Sequence, residues 1–513
     1  MSRLSGLVFC LMLAACSVSL RQPVLHDARA LPLAGSTNGP LKAHLRSGQM
    51  VLFSSWQPAT HDSVLRGYGT RYNIRRDSVE TRQFAIPLDS IALLETQGAQ
   101  TVGRGLAALG VWTTIWGAVT AVCVADPKSC FGSCPTFYLD DVDRDRPLAE
   151  GFSSSIARAL EDSDVDDLGQ VRPGGERVVI RMANEAWETH AVRRVRLHAV
   201  PLKERDTHVF AVSGGGFIQS QLVTPPSTCQ AANGDCWKAV AARDSLEWFR
   251  AADSTDLAAP DTLMLVFPPQ RGPLGLVLGA RQSFVSTFVL YQTMAYLGRK
   301  AGDWLASLER GDPIAHHAVA EMNHLIGEIT IAIQDARGEW RSVGRFTEAG
   351  PIAGDVQLLP LGPPAPASED SIRVRLTFAR GNWRVGYLGL ATIADTVSAV
   401  VVEPTEVRRL GEPGPESHQR PLDGQAYLVT YPGDQYRLAF DLPRDRGAYA
   451  LFLETQGYYY EWMRGEWLAE EDPGMAALLI LDPHAALRRM APLFKAREPE
   501  FEVHFWASRF GRR

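Results

Sequence analysis

Lysine is nearly missing from this chain of 513 residues: it occurs at Lys42, Lys128, Lys203, Lys238, Lys300 and Lys495, and arginine supplies the rest of the basic residues. The arginine bias reflects a GC-rich coding sequence rather than an anion site. Excess positive charge is absent too. Lys and Arg number 52 against 58 Asp and Glu, a net charge of −6, so no electrostatic case exists for a nucleic-acid partner. The short motifs of catalysis are missing as well. There is no G-x-x-x-x-G-K-[ST], no dinucleotide fingerprint and no H-E-x-x-H, and no catalytic residue, metal or cofactor is expected. What remains is an ordinary globular composition, 45% hydrophobic and 21% charged. A chain this long exceeds one core and should divide into about three or four domains.

The informative segment is the first. Arg3 gives a basic start, Leu7 to Leu13 form an apolar run too short to span a bilayer, and small residues lead to Cys16. This is the layout of a secretory signal. The tetrapeptide Leu13-Ala14-Ala15-Cys16 resembles the lipobox of bacterial lipoproteins. That resemblance implies a diacylglyceryl group on the Cys16 thiol and a membrane partner reached through this anchor. It also implies a place on the periplasmic side of the cell envelope. Serine rather than aspartate at position 17 favours the outer membrane.

An exported chain meets an oxidising compartment, where disulfides are the default. Cys10 leaves with the leader, and Cys123 sits in an apolar run and reads as buried and unpaired. Cys130 and Cys134 form one close pair, Cys229 and Cys236 another. Local bridges are the simplest pairing, although four cysteines allow three. Cys130-Phe131-Gly132-Ser133-Cys134-Pro135 shares its C-x-x-x-C-P spacing with copper chaperones of thioredoxin-like fold, but the preceding segment is not an α/β pattern. The same stretch resembles the Cys-x-Gly-x-Cys-Pro opening of uncharacterised exported bacterial proteins, which implies a structural bridge and no chemistry.

The expected organisation is multidomain and mainly β, with interspersed helices and a helical C-terminus. Residues 1–16 are the leader and 17–40 a polar tether. Residues 41–100 carry short alternating runs and read as a small β module, a little barrel. Residues 101–127 hold an uncharged run, Gly105 to Ala125. It reads as a buried helix or membrane-apposed hairpin, or else as a true span; its glycines and threonines weigh against the span. Residues 128–310 read as a β-rich domain, with a helix near Ser153 to Leu160 and a long helix from Phe284 to Leu308. Residues 311–410 read as sandwich-like. Ile329–Ile333 leads to Trp340, and Ile372–Leu376 leads to Trp383, as two similar hairpins. That echo resembles jelly-roll carbohydrate-binding modules. Residues 424–513 give strands and then helices, with Asp472-Pro473 and Asp482-Pro483 as N-cap signals.

Several constellations have bland alternatives. Asp141-Val142-Asp143-Arg144-Asp145 and Asp162-Ser163-Asp164-Val165-Asp166 open like calcium loops but lack the later glycine and glutamate, and read as solvated turns. His317, Glu321 and His324 share a helix face that Asp312-Pro313 caps, and read as a polar helix face rather than zinc ligands. Ser213-Gly214-Gly215-Gly216 resembles the glycine-rich strand end of patatin-like lipases. The nucleophile motif of that family is missing, since Gly151-Phe152-Ser153-Ser154-Ser155 lacks the closing glycine, and a tight turn is expected. The densest aromatic run is Tyr458-Tyr459-Tyr460-Glu461-Trp462-Met463-Arg464, followed by Trp467. Tyr459, Trp462 and Trp467 are the candidate binding residues, for an envelope glycan or protein; the alternative is a strand end packed on the C-terminal helices. The functional expectation is a lipid-anchored envelope protein with a binding or structural role. The second is a hydrolase of envelope polymers with carboxylates that no motif marks.

Overall fold

The computed structural model describes residues 19–26, 41–45, 49–57, 63–73, 78–101, 134–139, 147–171, 177–185, 188–202, 207–212, 215–347, 350–351, 353–362, 371–410, 422–430, 434–443, 448–461, 467 and 470–510. The chain groups into two compact units, residues 1–125 with 302–306 and residues 126–301 with 307–513. It is mainly β and multidomain, with a helical C-terminal region, as the alternating runs and Asp-Pro signals imply.

The first unit has six antiparallel strands: β1 (Ser19–His26), β2 (Leu41–Leu45), β3 (Met50–Gln57), β4 (Val64–Tyr72), β5 (Ser78–Pro87) and β6 (Ile91–Thr101). They form one sheet in the order β1-β6-β2-β3-β4-β5. Alternation puts Leu41, Ala43, Val51, Phe53, Leu65 and Leu94 on the buried face. Gly67 lies so close to β3 that a Cβ would come 2.4 Å from the Ser55 carbonyl oxygen, beside a bulge between Phe53 and Ser55. Two expectations change. The sheet is open rather than a little barrel, and part of the expected tether is β1, paired along its whole length with β6. The run 105–125 lies outside the described residues. Among the described residues no helix is long and apolar enough to cross a membrane.

The second unit begins with β7 (Thr136–Leu139), β8 (Pro147–Glu150), β9 (Asp162–Val171), β10 (Arg177–Ala183), β11 (Glu188–Pro201), β12 (His208–Val212) and β13 (Phe217–Thr224). Next come β14 (Thr228–Ala231), β15 (Gly234–Asp235), the short helix α1 (Trp237–Val240), β16 (Pro260–Phe267) and β17 (Leu274–Gln282). Helices α2 (Phe284–Leu297), α3 (Ala301–Glu309, of which residues 302–306 group with the first unit) and α4 (Pro313–Ile326) lead to β18 (Ile329–Gln334), β19 (Trp340–Phe346), β20 (Asp355–Pro360), β21 (Ile372–Ala379) and β22 (Trp383–Val397). The chain ends with β23 (Val400–Val402), β24 (Glu406–Arg409), β25 (Asp423–Thr430), β26 (Gln435–Asp441), β27 (Tyr449–Glu461), α5 (Pro473–Leu481) and α6 (Pro483–Phe510).

Two five-stranded sheets face one another. One has the order β24-β26-β10-β7-β8; the other is β23-β11-β27-β9, with β25 also paired to β11. Their shared core includes Phe137, Ile180, Val195, Leu438, Tyr449 and Leu453. Strands β12-β13-β22-β17-β20 close into a small barrel, sealed by the parallel pair β12 and β20. A six-stranded sheet, β15-β14-β16-β21-β18-β19, packs on the barrel strands β17 and β22.

These sheets correct the expected boundaries at 310 and 410. Strands from residues 136–201 pair with strands from 400–461, and the barrel mixes strands from 208 to 397. A linear cut cannot fall between partners in one sheet. The Ser153–Leu160 segment holds only a 3-10 turn at Arg158–Leu160. The long helix ends at Leu297, because Gly298 adopts φ +49 and α3 starts anew. Of the two expected hairpins, β18–β19 forms. Its echo does not: β21 stays in the six-stranded sheet while β22 enters the barrel. The cap signals hold. Asp312 accepts from the Ile314 and Ala315 N–H groups, Asp472 from Gly474 and Met475, and Asp482 from Ala485.

Candidate functional site at the end of strand β27

Strand β27 carries Tyr458, Tyr459 and Tyr460 in succession, so the pleat sends the middle ring one way and its neighbours the other. Tyr459 points into the core between the two facing sheets, where it is buried and its hydroxyl donates to the Ser153 carbonyl at 3.0 Å. Opposite it in register stands His190 of β11, with the two rings edge to face, centroids 6.4 Å apart. His190 Nε2 lies 2.9 Å from Glu188 Oε1, and both side chains are fully buried. Burial pushes the imidazole pKa down to about 3, overriding the nearby Glu461 and Asp434 carboxylates. The neutral ring therefore donates from Nε2 to Glu188, and among the described residues its Nδ1 has no hydrogen-bond partner. Asn184 closes this end of the core, donating to the Glu188 and Thr430 carbonyls at 3.0 and 3.3 Å.

The other face is built by a β-bulge. On β11, Val192 pairs with Gly457 and Arg194 with Gln456, which leaves Arg193 as an extra residue. The inward set accordingly changes parity, from Val192 to Val195, Leu197 and Ala199, and both Arg193 and Arg194 leave the core. The same bulge faces β25, where Leu428 opposes Val192 and Asp423 opposes Arg194, so Gly424 to Tyr427 loop out across Arg193. Arg193 Nη2 donates to Glu161 Oε2 at 2.9 Å and to the Tyr427 hydroxyl, which itself donates to Glu161 at 2.7 Å. Tyr427, Tyr458 and Tyr460 follow one another edge to face, each step 5.3 Å. Tyr460 donates to Glu309 Oε1 at 3.3 Å, and the Ala159 N–H reaches the same oxygen at 3.1 Å. Tyr458 is fully covered, and among the described residues its hydroxyl has no hydrogen-bond partner. Burial, with the Tyr427 hydroxyl next, raises the Tyr458 pKa.

Farther along this face Glu454 receives Arg196 Nε at 2.7 Å, His198 Nε2 at 2.5 Å and Ser163 Oγ at 3.2 Å. Burial alone would raise the Glu454 pKa; the hydrogen bonds from His198 and Arg196 outweigh it and hold the carboxyl at about 2. Ser163 sits on the carboxylate rather than on the histidine, so His198 does not serve it as a base.

A second polar cluster joins β9 to the barrel. The Asp167 N–H donates to Asp355 Oδ1 at 3.2 Å, and Asp355 also accepts from the Val356 N–H and Gln357 Nε2, each at 2.7 Å. Asp167 turns through a bulge at Gly169, φ +83, whose N–H it accepts at 2.7 Å. Its other oxygen lies 3.4 Å from Arg243. Burial pushes Asp355 up to about 6, and also raises Asp167 against the pull of Arg243. Carboxyls displaced in this direction are suited to general acid work.

The residues expected from sequence distribute as follows. Tyr459 and Trp467 are buried, Trp467 with its ring 5.3 Å from that of Tyr291 on α2. Trp462 lies outside the described residues, as do Cys16, Cys123, Cys130 and residues 141–145. Cys229 and Cys236 form a disulfide that staples the β14–β15 hairpin. Cys134 is buried. Residues 162–166 are part of β9 rather than a turn. His317 and His324 are exposed on α4, and His324 pairs with Glu328 at 3.0 Å. Among the described residues no three metal-ligating side chains converge. Gly215 and Gly216, φ +103 and +91, make the tight β12–β13 turn. Arg193, Tyr427 and Glu161 escaped sequence reasoning because a bulge has no local signature; Tyr458 and Tyr460 stood inside the aromatic run.

No protein-family description matches this chain, and no curated protein does. Its weak similarities among solved structures include the following three. One is the cycloalternan-forming enzyme of Listeria monocytogenes with a pentasaccharide substrate: 10% identity, 67% of this chain and 30% of that one, TM-score 0.17. The secreted serine protease VesC of Vibrio cholerae is 8% identical over 70% of this chain and 74% of that one, TM-score 0.14. The infectious bursal disease virus VP2 subviral particle is 10% identical over 96% and 92%, TM-score 0.16. At these scores the similarities carry neither fold nor function.

Proposed function

We propose that the chain is a lipoprotein of the cell envelope, held through Cys16 on the periplasmic side, with the outer membrane favoured. Its β body binds or scaffolds an envelope glycan or protein. The observation that carries this reading is the leader ending in Leu13-Ala14-Ala15-Cys16. The Cys229–Cys236 bridge supports it, because such a bond persists in an oxidising compartment. The test is Cys16→Ala. The variant should accumulate as an unprocessed precursor that takes up no labelled fatty acid. Cleavage and release at the normal size would remove the lipoprotein reading.

A second reading, a hydrolase of envelope polymers, is favoured by the Asp167 and Asp355 carboxyls, both raised by burial. It requires turnover of a peptidoglycan or glycan substrate that Asp355→Asn abolishes without unfolding the protein. Turnover untouched by that change would place any activity elsewhere.

A further inference from the structure

The six-stranded sheet keeps one face on the barrel strands and turns the other to water. Leu265, Ile331, Val374 and Leu376 belong to the core shared with β17 and β22. Alternation therefore turns Arg373 and Arg375 of β21 outward, where register gives them uncharged neighbours, Val266 and Met264 on β16 and Ala332 on β18. Strands β16, β18, β19 and β21 hold one acid between them, Asp261, and it lies on the inward set, paired with Arg250. Arg345 of β19, opposite Thr330, is met by Glu328 at 3.2 Å. Neither Arg373 nor Arg375 has a carboxylate partner among the described residues, whereas Arg177, Arg196, Arg250 and Arg409 are each answered by one. A coding bias toward arginine does not keep acids off one face.

Arg375 lies over the ring of Trp340, 4.7 Å from its centroid. Stacking fixes the guanidinium plane and leaves its in-plane N–H donors free of the ring. Ala332, the small residue between these strands on β18, is only 9% exposed beside the pair. Arg373 is exposed and Trp340 half-buried, so the face is open and shallow, and a ligand needs no cavity to reach it. We propose that this face docks an acidic polysaccharide built of uronate units. The proposal rests on the glycan-binding half of the reading above and deepens it by naming the site and the ligand class. A carboxylate is what each unanswered guanidinium lacks, and each can take one bidentately. Residues two apart on a strand stand about 6.6 Å apart, so one carboxylate cannot satisfy both arginines. A chain that carries a carboxylate on every unit can.

The test is calorimetric titration of the full-length chain in a detergent whose headgroup is uncharged and not a sugar. The probe is a tetramer of galacturonic acid, with neutral cellotetraose and phosphatidylglycerol vesicles as controls. The acidic tetramer should bind, and cellotetraose should bind about tenfold more weakly or not at all. Raising salt from about 50 to about 500 mM should weaken the acidic tetramer, because the arginines are exposed. Arg373→Gln should weaken it about three- to fivefold, and Arg373→Gln with Arg375→Gln about tenfold. Arg177→Gln removes the same charge from another sheet and should leave affinity within about twofold. Four outcomes overturn the proposal: no binding of the acidic tetramer at millimolar concentration, equal binding of cellotetraose, binding unchanged by the double variant or weakened as much by Arg177→Gln, or displacement of the tetramer by the vesicles. A negative titration leaves the anchor reading standing, and a processed, unlipidated Cys16→Ala protein refutes the anchor and leaves this result intact.

Discussion

The last turns of strand β27 present two polar surfaces that differ in one respect, access to water. On the inner face Tyr459 covers Glu188 and His190, fully buried and locked to each other. On the outer face Tyr458 and Tyr460 stand beside Glu161, Arg193 and Tyr427, where the arginine keeps 29% of its side chain exposed. The rings are chemically identical and adjacent in sequence. A dry cluster must satisfy its hydrogen bonds internally, so its members become part of the stability of the fold. A cluster at the edge of solvent keeps part of its hydrogen bonding to water, so its members contribute less to the stability of the fold. Alternation along a strand thus divides one aromatic run between two polar clusters, one dry and one part-exposed.

The largest effect should come from emptying the inner side. Tyr459→Ala leaves a cavity against His190 and removes the hydrogen bond to Ser153, and should cost about 3–5 kcal/mol in urea denaturation. Arg193→Ala on the outer face breaks a part-exposed pair and should cost about 1 kcal/mol or less. Equal losses would mean that both faces are core. Acid separates the faces next. His190 has its pKa lowered from 6.5 to about 3, so its contribution is complete above pH 6.5 and is lost as pH falls toward 3. Glu454 on the outer face is lowered from 4.5 to about 2, and loses its contribution only below pH 4.5. Asp355, raised from 3.8 to about 6, acts in the opposite sense and favours the fold as pH drops below 6. The wild type should therefore lose stability between pH 6.5 and 4.5 more steeply than a His190→Gln variant. Parallel curves would mean that His190 is not held neutral.

The fold was legible where the signal is local. Asp312, Asp472 and Asp482 each precede proline and each cap a helix, because both the carboxylate and the fixed ring act within one turn. The Cys229–Cys236 staple was half legible: the close pair stood out, but four cysteines allow three pairings and spacing alone does not choose. Long-range pairing was not. Ile372–Leu376 and Trp383 look like the two arms of a hairpin, yet β21 and β22 find better partners in different sheets, β16 and β17. The domain boundaries failed with them, since β10 and β11 pair with β26 and β27 from the far end of the chain. The candidate site was half legible. The tyrosine run announced itself, but the face each ring would take depends on the bulge at Arg193, and a one-residue slip in a ladder leaves no mark on composition.

The smallest effect is the sharpest test of the comparison, because it removes one oxygen atom from each face. Tyr459→Phe deletes a satisfied hydroxyl and strands the Ser153 carbonyl, so it should lower stability by about 1 kcal/mol. Tyr458→Phe deletes a hydroxyl that has no partner among the described residues, in a ring of the same burial. No bond is broken and a desolvation cost disappears, so stability should stay level or rise by up to about 1 kcal/mol. Thermal melts of the two variants, run without any saccharide, measure the sign directly. Opposite signs mean that the outer hydroxyl is carried at a cost to the folded protein. A loss from Tyr458→Phe as large as that from Tyr459→Phe would show that the outer hydroxyl is already satisfied in the fold, and the two faces would then differ in exposure alone.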